Sequence, residues 1–185
     1  MKNFPAKLAW LLCSSAIICM LSGCGYTTQS LLPSDFKSIY VDNFKNSINV
    51  SAEQSDIRMY RGYRPGMEVD LTKAVRDKFL YDGNLKVANT ETGADIALKS
   101  ELIDYRREPL IYDAHENIEK YRMKLIINMR MENVKTGKVV WEERSFAGET
   151  DYATQGVYFK TEETAIKDTI TDLARRVVER TVEAW

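Results

Sequence analysis

The sequence carries few of the side chains on which enzymes usually depend. It has one histidine, His115, and three cysteines in 185 residues, and it contains no glycine-rich phosphate loop and no nucleophile-elbow motif. Asp113, His115 and Glu116 could bind a metal, but they follow Pro109 in a polar stretch that favours a solvated loop. We therefore expect a protein that is not an enzyme, with no catalytic residues, no metal site and no cofactor.

Neither sign of charge dominates the chain. It contains 26 Lys and Arg against 27 Asp and Glu, which gives a formal net charge of −1. Nucleic-acid-binding domains usually carry a strongly basic surface. The near balance therefore argues against a nucleic-acid partner, although it leaves room for a local basic patch.

The sequence also lacks an apolar run at its start that is long enough for a transmembrane anchor. Lys2 and Lys7 give a basic beginning, and the uncharged stretch from Leu8 to Leu21 is shorter than the roughly 20 residues that cross a bilayer. It ends in Leu21-Ser22-Gly23-Cys24, which resembles the bacterial lipobox. These features predict a signal peptide over residues 1–23 that is cleaved before Cys24.

Cys24 is the predicted lipidation site, because the diacylglycerol of a bacterial lipoprotein is attached through sulfur. A disulfide is the other reading, but Cys13 and Cys19 both lie in the segment to be removed. We therefore expect a covalent diacylglycerol and an N-acyl chain on Cys24. In enterobacterial lipoproteins an Asp after the cysteine resembles an inner-membrane retention signal. This chain has Gly25 at that position, so we expect the protein to be anchored on the periplasmic face of the outer membrane.

The mature chain has the length of one domain. Removal of 23 residues from 185 leaves 162, and removal of Lys2 and Lys7 takes the formal charge from −1 to −3. Residues 24–36 are polar and predict a tether. Residues 37–185 then predict a single domain, with an irregular segment between Asn46 and Gly66.

Apolar periodicity predicts the elements of this domain. Helical spacing marks the stretch from Glu68 to Tyr81 and a final helix capped by Thr161. Alternation predicts strands over Lys37–Phe44, Leu85–Val87, Ala94–Tyr105, Glu119–Asn133 and Val139–Phe146. The order predicts an α+β two-layer sandwich: a mostly antiparallel or mixed sheet of about four strands, with both helices packed on one face.

The strongest single pattern is a long hairpin. Between Glu119 and Asn133 one set of alternate positions is apolar and the other is largely polar. The inward set is Tyr121, Met123, Leu125, Ile127, Met129 and Met131. Gly137 is placed for a positive φ in the turn that follows, and Val139–Phe146 is the expected antiparallel partner.

A basic strip is the candidate binding surface. Lys120, Arg122 and Lys124 occupy outward positions of the long strand, and Arg106 and Arg107 end the strand predicted beside it. We expect all five side chains to face outward. Rows of Lys and Arg suit phosphate and carboxylate groups. An ordinary solvated sheet face remains the alternative interpretation.

In these segments the mature chain resembles the lipopolysaccharide-assembly lipoprotein family LptE. The stretches that carry the resemblance, in order, are Cys24-Gly25-Tyr26, Leu32-Pro33-Ser34, Lys37–Val41, Leu71–Val75, Gly93–Leu98, Pro109–Asp113, Tyr121-Arg122-Met123, Thr136–Glu142, Glu162–Ile166 and Leu173-Ala174-Arg175. Together they cover most of the domain in the right order and spacing. The stretch Ser51–Arg64 departs from the family pattern and looks like an insertion.

The resemblance implies a partner and a ligand. It implies an α/β sandwich that sits as a plug inside the outer-membrane β-barrel LptD, helps to assemble it and delivers lipopolysaccharide to the outer leaflet. It also makes lipopolysaccharide, whose lipid A and core sugars carry phosphates, the expected ligand of the basic strip. An outer-membrane lipoprotein that acts as an adaptor or envelope-stabilising factor without a barrel partner remains the alternative.

Overall fold

The computed structural model of the chain describes residues 35–48 and 64–183. The elements in chain order are β1 (Ser38–Val41), β2 (Lys45–Asn46), α1 (Met67–Asp82), β3 (Lys86–Val87), a short 3-10 helix (Glu91–Gly93), β4 (Ile96–Tyr112), β5 (Ile118–Asn133), β6 (Val139–Ala153) and α2 (Glu162–Glu183). The predicted signal peptide, Cys24, nearly all of the tether and the insertion lie outside the described residues.

The strands form one mixed sheet. Its order is β3-β1-β4-β5-β6, and β2 pairs with β4 beyond the end of β1. The pairings of β1 with β3, β1 with β4 and β2 with β4 are parallel, and the two long pairings, β4 with β5 and β5 with β6, are antiparallel. The predicted α+β class is confirmed, but the sheet has six strands and not about four. Two of them, β2 and β3, are only two residues long, too short for alternation to reveal.

Both helices lie on one face of the sheet, as the sequence predicts. Helix α1 buries Leu71, Val75 and Phe79 and ends at Gly83, whose φ of 76° suits a residue without a side chain. Helix α2 begins where predicted, because the Thr161 hydroxyl accepts the backbone N–H of Thr164 at 3.2 Å. Helix α2 packs against β5, β6 and α1. The core lies between these helices and the sheet.

The register predicted for the long hairpin is confirmed. All five inward residues from Met123 to Met131 are buried, with at most 2% exposure, and their polar neighbours face the other side. Gly137 has a φ of 65° in the turn to β6. Its N–H donates to the Asn133 carbonyl at 2.8 Å, which closes that turn.

Helix α2 approaches the sheet closely at Gly148 of β6. A Cβ atom built on Gly148 would lie 2.7 Å from the Cα and 2.5 Å from the Cβ of Leu173. Such distances are shorter than any van der Waals contact. Glycine is therefore required here because α2 leaves no room for a side chain.

The two ends of the sheet differ. The entry end is the one at which the described chain begins at residue 35: β1 and β4 start there in parallel, with Ile39 opposite Ile96. The β5–β6 turn also lies there, because the Val134 N–H donates to the Asp95 carbonyl at 2.9 Å. The opposite end carries the turn between β4 and β5, and we call it the hairpin end. It is not the end with the turn of the long β5–β6 hairpin, which lies at the entry end. With 17 residues in β4, the ends are roughly 55 Å apart.

Candidate functional site

Among residues 35–48 and 64–183 no element covers the face of the sheet opposite the helices, and the outward residues of this face are mostly charged. On β4, β5 and β6 these residues include Lys99, Glu101, Asp104, Arg106, Glu108, Lys120, Arg122, Lys124, Arg130, Glu132, Glu142, Glu149 and Asp151. We call this surface the open face. Charged side chains avoid burial unless they are paired, so alternation along the strands places them all on the side away from the helices.

Four of the five predicted strip residues meet on the open face. Arg106 lies directly opposite Lys124 in the pairing of β4 with β5, and Arg122 lies opposite Glu108. Lys120 is close to the hairpin end, opposite Ile111. These four cations form one continuous patch near the hairpin end of the open face.

Arg107 does not belong to this patch, and its prediction as an outward residue is wrong. It pairs with Met123 and therefore lies on the face that the helices cover. Neighbouring residues of a strand point to opposite faces, so Arg106 and Arg107 cannot both face outward. The sequence already contained this conflict, because both side chains were assigned to one side of a strand.

Arg107 instead joins α2 to the sheet. Its guanidinium donates to the Glu162 carboxylate at 2.7 Å and lies 4.4 Å from the centre of the Tyr121 ring. Tyr121 stacks on Tyr152 at 5.8 Å. The Tyr105 hydroxyl also donates to Glu162, at 3.3 Å, and burial together with the charge of Glu162 raises the pKa of Tyr105. This cluster holds the first turn of α2.

The cations of the patch are largely matched by carboxylates beside them. Arg106 pairs with Asp104 at 2.6 Å, and Lys124 pairs with Glu108 at 3.1 Å. Within the described part of the chain, Lys120 makes no ion pair shorter than 4.0 Å. The patch is therefore a mixed-charge surface, and Lys120 is its one cation without a direct ion pair among the described residues.

Arg122 makes the best-defined ion pair of the patch. It donates two parallel hydrogen bonds to Asp151, at 2.7 and 2.9 Å, and Glu149 lies 3.8 Å away. The hydrogen bonds from Arg122 lower the pKa of Asp151, and the hydrogen bond to Asp151 raises the pKa of Arg122. Both groups stay charged at neutral pH. An anion that approaches Arg122 must share it with these carboxylates.

A second charged group, absent from the sequence predictions, lies nearer the entry end of the open face. It surrounds a shallow cavity of about 410 Å³ lined by Asp42, Lys45, Lys99, Ser100, Glu101, Asn128, Met129, Arg130, Glu142 and Arg144. Lys99 lies 2.9 Å from both Glu91 and Glu132, and hydrogen bonds to these carboxylates raise its pKa. The alternation between Ile96 and Leu102 already placed Lys99 and Glu101 on the outward side of β4, so the signal for this group was present.

The predicted solvated loop around His115 forms the turn between β4 and β5. The Asp113 carboxylate accepts the backbone N–H groups of His115 and Asn117 at 2.8 and 2.9 Å, and these bonds lower its pKa, those from Asn117 most. Asp113 thus closes the turn. Among residues 35–48 and 64–183, no three His, Cys, Asp or Glu side chains are grouped as a metal site. Cys24 lies outside this range.

The fold and its open face define a class: a two-layer α+β domain that presents a broad, ion-paired sheet surface. No helix in the described ranges is long and apolar enough to cross a membrane. The family model LptE, described as lipopolysaccharide-assembly, matches residues 36–181. The chain belongs to the LptE family, as its sequence resemblance predicted.

Solved structures are similar to the chain at low identity. The PelC dodecamer from Paraburkholderia phytofirmans is 12% identical, with 85% of this chain and 96% of that chain covered and a TM-score of 0.44. Rare lipoprotein B from Shewanella oneidensis is 15% identical, with 77% and 92% covered and a TM-score of 0.44. A minor lipoprotein from Acinetobacter baumannii is 13% identical, with 79% and 92% covered and a TM-score of 0.45. No curated protein matches the chain.

Proposed function

We propose that the chain is an outer-membrane lipoprotein, held on the periplasmic face by lipid on Cys24, that plugs and helps to assemble the lipopolysaccharide-translocating β-barrel LptD. In this role it takes part in delivering lipopolysaccharide to the outer leaflet. The match of the LptE model to residues 36–181 carries the proposal. The domain bounds that go with it are a signal peptide over 1–23, a tether over 24–36 and one domain over 37–185.

The open face supports a position inside a barrel. The lumen of a large transmembrane barrel is polar, and a domain that fills it needs a surface that tolerates charges of either sign. The open face meets this need because most of its charges are already paired, as Arg122 is with Asp151 at 2.7 Å. Such a surface enters a polar lumen with few single charges left unpaired.

The patch near the hairpin end is the proposed lipopolysaccharide contact. Arg106, Lys120, Arg122 and Lys124 present cations on one surface, and Lys120 lies at its rim. Phosphate accepts charge-assisted hydrogen bonds from both Lys and Arg. Arg107 is not part of this contact, because it faces α2.

Purification of the tagged chain from mild detergent tests the barrel partnership. A barrel protein recovered in equal amount supports the plug, and the same preparation without a barrel favours the adaptor. The lipid anchor is tested by fatty-acid labelling. Cys24→Ser and Cys24→Ala should both lose the label because neither side chain forms the thioether, and equal labelling of these variants would contradict lipidation at Cys24.

Replacement of Lys120, Arg122 and Lys124 together by Ser separates the two partners of the open face. The variant should fold, and its affinity for lipopolysaccharide at low salt should fall, because exposed ionic contacts are screened by salt. The matched control removes the same charge from the outer surfaces of the helices: Lys73→Ser, Lys167→Ser and Arg175→Ser. Unchanged lipopolysaccharide binding with loss of the barrel would assign the patch to the lumen wall instead.

A further inference from the structure

The entry end of the sheet brings together four lysines from three separate segments. The Lys86 N–H donates to the Lys37 carbonyl at 2.9 Å. The Lys135 ammonium lies 3.0 Å from Asp95, whose carboxylate also accepts the Lys37 N–H at 3.1 Å. The Lys138 carbonyl accepts the N–H of Asn133 across the neighbouring turn, at 2.9 Å. All four lysines are exposed.

Exposed apolar side chains lie at the same end. Helix α1 finishes there, and its last turn exposes 64% of Leu80 and 86% of Tyr81. The Lys78 ammonium lies 5.3 Å from the centre of the Tyr81 ring. Val139, at the start of β6, is 52% exposed. Lysine next to tyrosine and leucine is the composition of surfaces that lie at a membrane–water interface.

The carboxylates at this end cancel only part of the lysine charge, because among the described residues Lys135 alone of the four lysines has an ion pair, with Asp95. Asp95 is enclosed by hydrogen bonds from Lys37, Ser38 and Lys135. Asp82 accepts the side-chain N–H of Asn84 at 2.9 Å. Glu91 is paired with Lys99 at 2.9 Å, which leaves exposed Asp35 as the one carboxylate here without such a bond among the described residues. Lys86 and Lys138 make no ion pair within the same ranges.

The route of the chain places the entry end nearer the lipid anchor than the hairpin end. Residues 24–34 precede the described domain, and eleven residues reach at most roughly 40 Å. They join the domain at the entry end, and the hairpin end lies roughly 55 Å further along β4. Lipid on Cys24 therefore brings the entry end to the membrane surface first.

We propose that the entry end is a membrane-contact surface, at which Lys37, Lys86, Lys135 and Lys138 meet anionic phospholipid headgroups while Leu80 and Tyr81 enter the interface. This inference rests on the proposed lipidation of Cys24. An acyl anchor combined with a basic patch holds a protein more firmly than the anchor alone. The contact would also set the long strands upright on the bilayer.

Single labels on the lipidated full chain test the proposal. Processing removes Cys13 and Cys19 and lipid occupies Cys24, so an introduced cysteine is the one reactive thiol. A fluorophore is placed on Asn84→Cys at the entry end or on Ala114→Cys at the hairpin end. The chain is reconstituted in phosphatidylethanolamine–phosphatidylglycerol vesicles that contain brominated lipid. The label at position 84 should be quenched severalfold more strongly than the label at position 114.

Charge reversal then tests the lysines themselves. Each lysine at an anionic surface is worth about fivefold in affinity, so Lys86→Glu with Lys138→Glu should weaken the contact by roughly 25-fold or more and abolish the extra quenching at position 84. The control pair Lys73→Glu with Lys167→Glu carries the same charge change on the helices and should leave it intact. Replacing phosphatidylglycerol by phosphatidylcholine should act like the entry-end reversal.

Three outcomes decide between this inference and the proposed function. Equal quenching at positions 84 and 114, with the barrel and lipopolysaccharide still bound, overturns the membrane contact and leaves the proposed function standing. Quenching that follows the entry-end lysines in a chain that binds neither partner supports the contact and overturns the function. Absence of the fatty-acid label on Cys24 overturns the route by which the contact forms.

Discussion

The two faces of the central sheet use the same strands for opposite purposes. On β5, Leu125 and Met131 are fully buried under the helices. Lys124 and Arg130, each next to one of them in the sequence, face outward. The helix-covered face is apolar and closely packed, and the open face is a set of charged side chains that pair across neighbouring strands. The effect of a substitution on stability therefore depends on whether the side chain faces the helices or the open face.

The difference follows from the surroundings of each face. A buried apolar side chain has neighbours on every side, so a change in its volume or polarity must be absorbed by the core. A charged side chain on the open face can exchange its ion-pair partner for water with little loss of folding free energy, because exposed ion pairs contribute little to stability. Stability thus depends mainly on the covered face, which leaves the open face available for partners.

Leu125→Asp should have the largest effect. It places a carboxylate without a partner on the covered face, where burial of an unpaired charge costs several kcal/mol. We expect the purified domain to lose its cooperative thermal transition. Lys124→Ser, one residue away on the open face, is the control and should melt close to the wild type. A Leu125→Asp domain that melts within a few degrees of the wild type would contradict the register of β5.

Gly148→Val should have the next largest effect. A side chain at Gly148 meets the backbone of Leu173 at 2.7 Å, so α2 must move away from β6. Overpacking of this kind costs about 1–3 kcal/mol. Ala147→Ser, on the open face of the same strand, should change the free energy of unfolding by less than about 0.5 kcal/mol. Urea denaturation of both variants measures the difference.

Comparison of Arg107→Ala with Arg106→Ala tests the difference between the two faces at adjacent residues of β4. Arg107 loses its ion pair with Glu162 and its contact with the Tyr121 ring, and we expect a loss of about 1–2 kcal/mol because this site is only partly exposed. Arg106→Ala should cost less than about 0.5 kcal/mol. Similar chemical denaturation midpoints for the two variants would show that Arg107 does not hold α2.

Acid should act through the charged surfaces and not through the covered face. Hydrogen bonds from Lys135, Lys37 and Ser38 lower the pKa of Asp95 from 3.8 to about 2. A lowered pKa means that the ionised carboxylate stabilises the folded state above about pH 4, and that this contribution is lost as the pH falls towards 2. Asp95→Asn should flatten the dependence of the melting temperature on pH in this window. An unchanged slope would assign the acid sensitivity to other carboxylates.

The sequence was sufficient to predict the long elements and their inward sides. The spacing of Leu71, Val75 and Phe79 identified α1, and the alternation from Met123 to Met131 identified the buried side of β5. These patterns extend over several turns or pairs, so local irregularity does not hide them. The family resemblance was confirmed by the match to residues 36–181.

The full lengths of β4 and β6 were not predictable in the same way. The predicted strand ends at Tyr105, yet β4 continues through Pro109 to Tyr112. Beyond Leu102 the described residues place no strand on the other edge of β4, so a residue without an N–H is tolerated there. Strand β6 continues past Phe146 to Ala153. A bulge at Ser145, whose φ is 54°, breaks the alternation just before Phe146, so the second half of the strand does not follow the pattern of the first.

The candidate site was predicted in part. The outward position of Lys120, Arg122 and Lys124 followed from alternation, but their carboxylate partners come from other strands. Glu108 and Asp151 become neighbours only through the registers of β4 and β6 with β5. Cross-strand pairing depends on register, which a local pattern does not reveal. The ion-paired character of the patch therefore needed the structure.

The parallel pairing of β1 with β4 sets an order of folding. Ile39 lies opposite Ile96, so the first strand of the domain has no partner on β4 until more than fifty further residues have emerged. Strands β4, β5 and β6 need only short turns to pair, and closing short loops costs less entropy than closing long ones. We expect the three-strand meander to form first and β1 to dock last. The first strand of the domain is therefore made early yet becomes fixed late.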